Sequence, residues 1–136
     1  GYAQHTMDDL GDYARNYLTQ ALQQSLTDKN YRLEVTSADL DQRLTLPQCQ
    51  QSIAAKPPHK LHQWGRQTIN VYCPDKGGWS LYIPLTVKVY KPAITLTNAI
   101  NRGELINDAN ITTTEIDLSQ FPFAVFDKQK QFARQK

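Results

Sequence analysis

The stretch INVYCPDKGGWSLYIPLTVKV, residues 69–89, decides the fold of this protein. Apolar and polar side chains alternate through 69–73 and again through 79–89, which is the period of a strand with one buried face. Turn residues, Asp75-Lys76-Gly77-Gly78, lie between the two runs, so we expect an antiparallel hairpin. Pro84 cannot donate a backbone hydrogen bond and therefore marks a sheet edge, a bulge or a break in the second run.

An amphipathic helix is predicted upstream of this hairpin. Thr6 and Asp9 fit the N-cap and the returning acid of a capping box. Apolar residues then recur at steps of three and four: Met7, Leu10, Ala14, Tyr17, Leu18, Ala21 and Leu22. This spacing predicts a helix of about five turns that ends near Asp28-Lys29-Asn30 and buries its apolar stripe in the core. His5, just before it, is expected to be frayed.

Further strands are predicted on both sides of the hairpin. Alternation indicates strands at 31–36 and 44–46, another at 93–97, and an extended segment at 112–116. Lys91-Pro92 interrupts the pattern, so we place a domain boundary there. The prediction is an α+β fold: residues 1–91 form a domain with the helix packed on an antiparallel sheet, and residues 92–136 form a second, partial domain.

Cys49 and Cys73 are the only cysteines, and they could be two free thiols, half of a zinc site, or one disulfide. A zinc site and a redox pair are both disfavoured, because neither cysteine belongs to a CxxC motif. Each cysteine adjoins a turn marked by proline. A disulfide would stabilise the fold by roughly 3–4 kcal/mol and would imply an oxidising compartment. The alternative is two buried thiols that pack as small apolar groups.

Composition and motifs exclude several classes of function. The 136 residues carry a net charge of +2, too little for a dedicated nucleic-acid binder. No apolar run approaches the roughly 20 residues of a membrane-spanning helix. The sequence contains no GxSxG, P-loop, HExxH, GxGxxG or EF-hand pattern. We therefore predict no catalytic residue, no metal site and no cofactor.

A few residues could still carry chemistry, and each has a simpler interpretation. His59 and His62 form an HxxH motif, but the preceding Pro-Pro favours solvated loop histidines. Asp39 and Asp41 could act as an acid–base pair, although turn formation and an ion pair between Asp41 and Arg43 explain them better. Two tryptophans, Trp64 and Trp79, could stack on a sugar, but core packing is favoured.

The final stretch differs from the rest in composition. All four phenylalanines lie there, at positions 121, 123, 126 and 132, and the last residues, 127–136, are basic. So many aromatic side chains would have to be covered by other parts of a protein, and no residues follow that could cover them. Two compatible interpretations follow: a larger domain is cut short here, or this surface binds a partner. We predict Phe121, Phe123 and Phe126 as partner-binding residues.

Four motifs in order resemble the FlgA family, the periplasmic chaperones of flagellar P-ring assembly. They are DQRLTLPQC (41–49), NVYCP (70–74), WSLYIPLTV (79–87), and INRGELI (100–106) followed by DANI (108–111). The last motif is similar to the opening of a SAF (β-clip) domain, although Asn110 stands where that opening usually has Asp. The resemblance covers about residues 35–118.

The resemblance implies a non-catalytic chaperone without a cofactor, located in the periplasm after removal of a signal peptide. It implies a transient complex with P-ring subunits, and it makes 92–136 the start of a SAF domain that is incomplete at its C-terminus. The oligomeric state stays open, with domain swapping possible at an uncovered edge. The alternative function is a carbohydrate- or small-ligand-binding module, which would expose Trp64 or Trp79 in a concave pocket.

Overall fold

The computed structural model of the chain describes residues 4–96, 102–107 and 110–121. These residues form, in chain order, β1 (Gln4–Thr6), α1 (Met7–Ser25), β2 (Arg32–Ser37), β3 (Thr45–Pro47), β4 (Ala54–Lys56), β5 (Gly65–Tyr72), β6 (Ser80–Leu96) and β7 (Ile111–Asp117). The chain forms two compact units. The first takes in the chain up to Lys29 and Leu33–Lys88, and the second takes in Asn30–Arg32 and the chain from Val89 onward.

Thr6 is the N-cap of α1, as its sequence predicts. The Thr6 hydroxyl accepts a hydrogen bond from the backbone N–H of Asp9 at 3.1 Å, which satisfies one of the free donors of the first turn. The helix ends at Ser25, a few residues before the predicted end, because Leu26 adopts an extended conformation. The buried stripe consists of Met7, Leu10, Gly11, Ala14, Leu18 and Leu22.

The predicted hairpin is confirmed, and it forms the centre of the first unit. β5 and β6 pair antiparallel with Ile69 opposite Ile83, in a strand order β2-β6-β5-β4. One face of this sheet is fully buried, at Ile69, Val71, Ile83, Leu85 and Val87. Helix α1 packs against β5, so its apolar stripe covers that face. The α+β class with one helix on an antiparallel sheet is thereby confirmed.

Pro84 lies inside β6 without breaking the strand. The backbone N–H of Cys73 donates to the carbonyl of Trp79 at 2.8 Å, so these two residues form a hydrogen-bonded pair. In an antiparallel pairing such pairs alternate with pairs that are not hydrogen-bonded, so every second pair counted away from the hairpin turn is also hydrogen-bonded. Pro84 lies opposite Thr68, at a position between those pairs. The pairing with β5 therefore needs no N–H group from Pro84.

Two short strands of the first unit were not predicted. β1 pairs antiparallel with β3, with His5 opposite Leu46, so the expectation that His5 is frayed is wrong. β4 pairs with β5 and places Lys56 opposite Asn70. Neither Gln4–Thr6 nor Ala54–Lys56 has an alternating apolar pattern, so only pairing with a neighbouring strand defines these two strands.

In the second unit, β7 pairs antiparallel with the end of β6, from Tyr90 opposite Asp117 to Leu96 opposite Ile111. Lys91-Pro92 does not end the strand, and the separate strand expected at 93–97 is the last part of β6. The N–H of Leu118 donates to the carbonyl of Val89, which puts Pro92 between hydrogen-bonded pairs as well. Val89 and Leu118 are buried. The assignment of 92–136 to a partial SAF domain stays a prediction.

Candidate partner-binding surface

The predicted disulfide between Cys49 and Cys73 is present. The two Cα atoms lie 5.7 Å apart, and the crosslink closes a sequence separation of 24 residues. Both cysteines are buried. The bond joins the segment after β3 to the residue that follows β5. The intervening residues 50–72, which include β4 and β5, are therefore covalently linked at both ends.

Polar groups fix the surroundings of the disulfide. The two carboxylate oxygens of Asp75 accept hydrogen bonds from the backbone N–H groups of Gln50 and Gln51, at 2.7 and 3.0 Å. Within the described part of the chain, Cys49, Cys73 and Asp75 are the only three potential metal ligands that lie together. Because both sulfurs are joined to each other, they offer no thiolate to a metal. The cluster is a structural crosslink.

The histidines and aspartates considered above do not converge on one site. His59 and His62 are exposed, and the backbone of His62 exchanges two hydrogen bonds with the buried side chain of Gln67. The ion pair of Asp41 with Arg43 is confirmed. Hydrogen bonds from the side chain and backbone of Arg43 lower the pKa of Asp41, which keeps this exposed carboxyl ionised. An ionised, arginine-bound carboxylate serves local structure rather than proton transfer.

Both tryptophans are half-buried. The indole N–H of Trp79 donates to the carbonyl of Pro47 at 2.9 Å, and its ring meets His5 edge-on at 5.6 Å between centroids. Trp79 also lines a shallow groove of about 440 Å³ near the hairpin turn, together with Tyr72 and Lys56. The indole is therefore fixed by contacts within the fold on one side and borders a groove on the other.

Of the three phenylalanines predicted to bind a partner, only Phe121 lies within the described residues. Its side chain is 55% exposed. The turn that presents it is closed by Asp117, whose carbonyl accepts from the N–H of Phe121 at 3.1 Å and whose carboxylate accepts from Ser119 at 2.9 Å. Phe123 and Phe126 lie outside the described residues, so the joint role of the three stays a prediction.

An aromatic and charged cluster on the second unit was missed by sequence reasoning. The Arg32 guanidinium donates two hydrogen bonds to the carboxylate of Glu115, at 3.0 and 3.2 Å, and lies 4.2 Å from the ring centroid of Tyr90. These bonds lower the pKa of Glu115. The three residues are distant in the chain, on β2, β6 and β7, so no local spacing could have revealed them.

A second missed feature is the face of the first unit's sheet that α1 does not cover. Tyr82 is 72% exposed on this face, and Tyr72 is diagonal to it because Tyr72 pairs with Ser80 while Tyr82 pairs with Asn70. The signal was present in the sequence, since both tyrosines occupy polar positions of the alternating runs. An exposed tyrosine at such a position is an amphipathic contact residue rather than core.

The geometry so far defines a small, disulfide-bonded α+β protein with exposed aromatic surface on both units. A family model described as the FlgA N-terminal domain matches residues 15–89, more than half of the chain. The chain therefore belongs to the FlgA family. A search of curated proteins returned no match.

Two solved structures of Salmonella FlgA are similar to this chain. The open form is 21% identical, with 90% of this chain and 53% of that chain covered and a TM-score of 0.45. The closed form is also 21% identical, with 82% of this chain and 52% of that chain covered and a TM-score of 0.44. The chain thus spans about half the length of these structures. Among the described residues, no helix has the length and apolar character needed to cross a membrane.

Proposed function

We propose that this chain is a periplasmic chaperone that binds flagellar P-ring subunits and assists their assembly around the rod. Its role is protein binding without catalysis. The observation that carries the proposal is the match of residues 15–89 to the FlgA N-terminal domain.

The buried Cys49–Cys73 crosslink supports the proposed location. Disulfides form and persist in oxidising compartments such as the bacterial periplasm and are rare in the cytosol. A crosslink that joins β5 to the loop after β3 is part of the fold of the first unit rather than an exposed, exchangeable bond.

A chaperone role has a simple physical basis. Subunits that assemble into a ring carry surfaces that fit one another, and these surfaces are exposed before assembly. A partner can cover them by adding a strand or by aromatic contact. We propose that the second unit, predicted as a partial SAF domain, makes part of this contact through Phe121, Phe123 and Phe126. Phe121, 55% exposed on a turn after β7, is positioned for such a contact.

A pull-down of the purified P-ring subunit by the whole chain tests this function, with light scattering to follow self-association of the subunit. We expect capture of the subunit and slower self-association when the chain is added. The triple variant Phe121→Ala, Phe123→Ala, Phe126→Ala should lose most of the capture, while Phe132→Ala serves as the matched control. No capture by the unaltered chain would refute the chaperone function. Full capture by a folded triple variant would refute only the role of the phenylalanines.

A further inference from the structure

The uncovered face of the first unit's sheet has a defined composition. On the strands β4, β5 and β6, the side chains opposite the buried face form cross-strand rows. One row runs Lys56–Asn70–Tyr82 and the next runs Ala54–Tyr72–Ser80. All six residues are partly or fully exposed. We call these six residues the tyrosine face.

The tyrosine face resembles the composition of protein-binding surfaces. Tyrosine supplies a large contact area at low entropic cost, and serine and asparagine supply adaptable hydrogen bonds. The amide of Asn70 is held by the Ser80 hydroxyl at 2.7 Å and the Leu81 carbonyl at 3.0 Å. Lys56 Nζ lies 5.1 Å from the ring centroid of Tyr72. The centre of the face is therefore ordered before any partner binds, which reduces the entropic cost of binding.

The charged side chains on this side of the sheet indicate which kind of partner it binds. Lys56, Arg66 and Lys88 all lie on it, and all three are exposed. Ser37 of β2 faces the helix, because its hydroxyl accepts a hydrogen bond from Arg15. Glu34 is three residues earlier in the same strand and therefore points to the opposite side, the side of the tyrosine face. It is the one acidic residue that the described strands of the first unit place there. Asp75 borders the groove beside Lys56, but its oxygens already accept two backbone N–H groups. The excess of cations favours an acidic partner and disfavours pairing of two copies of this chain.

We propose that the tyrosine face is a second docking surface of the chaperone, for an acidic segment of the ring subunit. Tyr82 is the central contact, and Lys56 is the charge that pairs with a carboxylate of the partner. The proposal rests on the proposed function, because it takes the ring subunit as the protein that is bound.

Affinity measurements on the whole chain with the purified ring subunit test this surface. Tyr82→Thr keeps a good strand former at the position, and Lys56→Glu reverses the charge. We expect each to raise Kd at least tenfold. The matched control Lys60→Glu makes the same charge change at another exposed residue and should change Kd less than twofold. Raising salt should weaken binding and reduce the difference between Lys56→Glu and the unaltered chain.

Each contrary result has a distinct meaning. Unchanged Kd for folded Tyr82→Thr and Lys56→Glu variants would overturn the docking surface and leave the proposed function intact. No binding by the unaltered chain would overturn both. Loss of retention on insoluble peptidoglycan by these variants, without loss of subunit binding, would assign the face to a saccharide and overturn the proposal. Self-association lost in the same variants would assign it to a second copy and overturn it as well.

Discussion

The Nε2 atom of His5 accepts a hydrogen bond from the backbone N–H of Cys49 at 3.2 Å. The bond connects β1 to a cysteine of the disulfide, and the same imidazole meets Trp79 edge-on. Nε2 is thus the acceptor of a hydrogen bond that joins two segments 44 residues apart in the chain. His5 is therefore part of the fold at the end of the first unit where the crosslink lies.

His5→Ala should lower the free energy of unfolding by about 1–2 kcal/mol, because it leaves a part-buried N–H without its acceptor. Urea unfolding followed by circular dichroism measures the change. His59→Ala, at an exposed loop position, is the control and should stay within about 0.5 kcal/mol of the unaltered chain. Equal stability of the two variants would mean that His5 contributes nothing to the fold.

Removal of the crosslink should have a larger effect. The double variant Cys49→Ala, Cys73→Ala should lose roughly 3–4 kcal/mol of stability, since the unfolded chain regains the freedom of a loop closed over 24 residues. Urea unfolding of the oxidised protein and the variant gives the difference. Thiol labelling of the unreduced, denatured protein provides the companion measurement. Two labelled thiols there would contradict the crosslink itself.

Gly78 should not tolerate a side chain. A Cβ atom built there would lie 2.3 Å from the carbonyl oxygen of Cys73 and 2.9 Å from that of Asp75, so the backbone of the hairpin turn would have to move. We expect Gly78→Ala to cost roughly 1–3 kcal/mol, as overpacking does elsewhere.

Gly77 offers the matched control for this hairpin. Its φ of +71° lies in the left-handed region, but no atom lies within 4 Å of a Cβ at that position. Gly77→Asn should therefore be milder than Gly78→Ala, because asparagine tolerates this conformation better than other residues. The urea concentrations at the unfolding midpoints of the two variants give the comparison. A lower midpoint for Gly77→Asn than for Gly78→Ala would contradict the steric explanation.

The Arg32–Glu115 pair should be visible in the titration of Glu115. Hydrogen bonds from Arg32 lower the pKa of Glu115 in the folded state. The pair therefore stabilises the fold at pH values above the pKa of Glu115 in the unfolded chain. This stabilisation is lost as the pH falls through the pKa of Glu115 in the folded protein. In an NMR titration of the side-chain carboxyl carbon, Arg32→Ala should raise the pKa of Glu115.

Stability measurements on the same pair should show the corresponding pH dependence. Glu115→Gln should reduce stability slightly at neutral pH, and the difference should vanish in acid. Glu104→Gln, at another exposed carboxyl of the second unit, serves as the control. An unchanged Glu115 titration in Arg32→Ala would show that the pair does not form in solution.

Local patterns predicted much of the first unit. The capping residue Thr6 and the apolar stripe of α1 placed the helix, and alternation around Asp75–Gly78 placed the central hairpin. These features are encoded within a few residues, because helix and strand periods repeat over short distances. The same reasoning failed at Pro92, which ends no strand. Its effect depends on whether the neighbouring strand needs its N–H group, and that is a property of pairing.

The sequence by itself determined the helix, the hairpin and a strong indication of the crosslink, since each depends on neighbours close in the chain or on a rare residue type. Only the tertiary structure decided the roles of His5, Arg32 and the tyrosine face. Arg32 and Glu115 are 83 residues apart, and Lys56, Asn70 and Tyr82 form a row only through the register of three strands. Contacts of this kind arise from the pairing of distant segments, and no local period of the chain contains them.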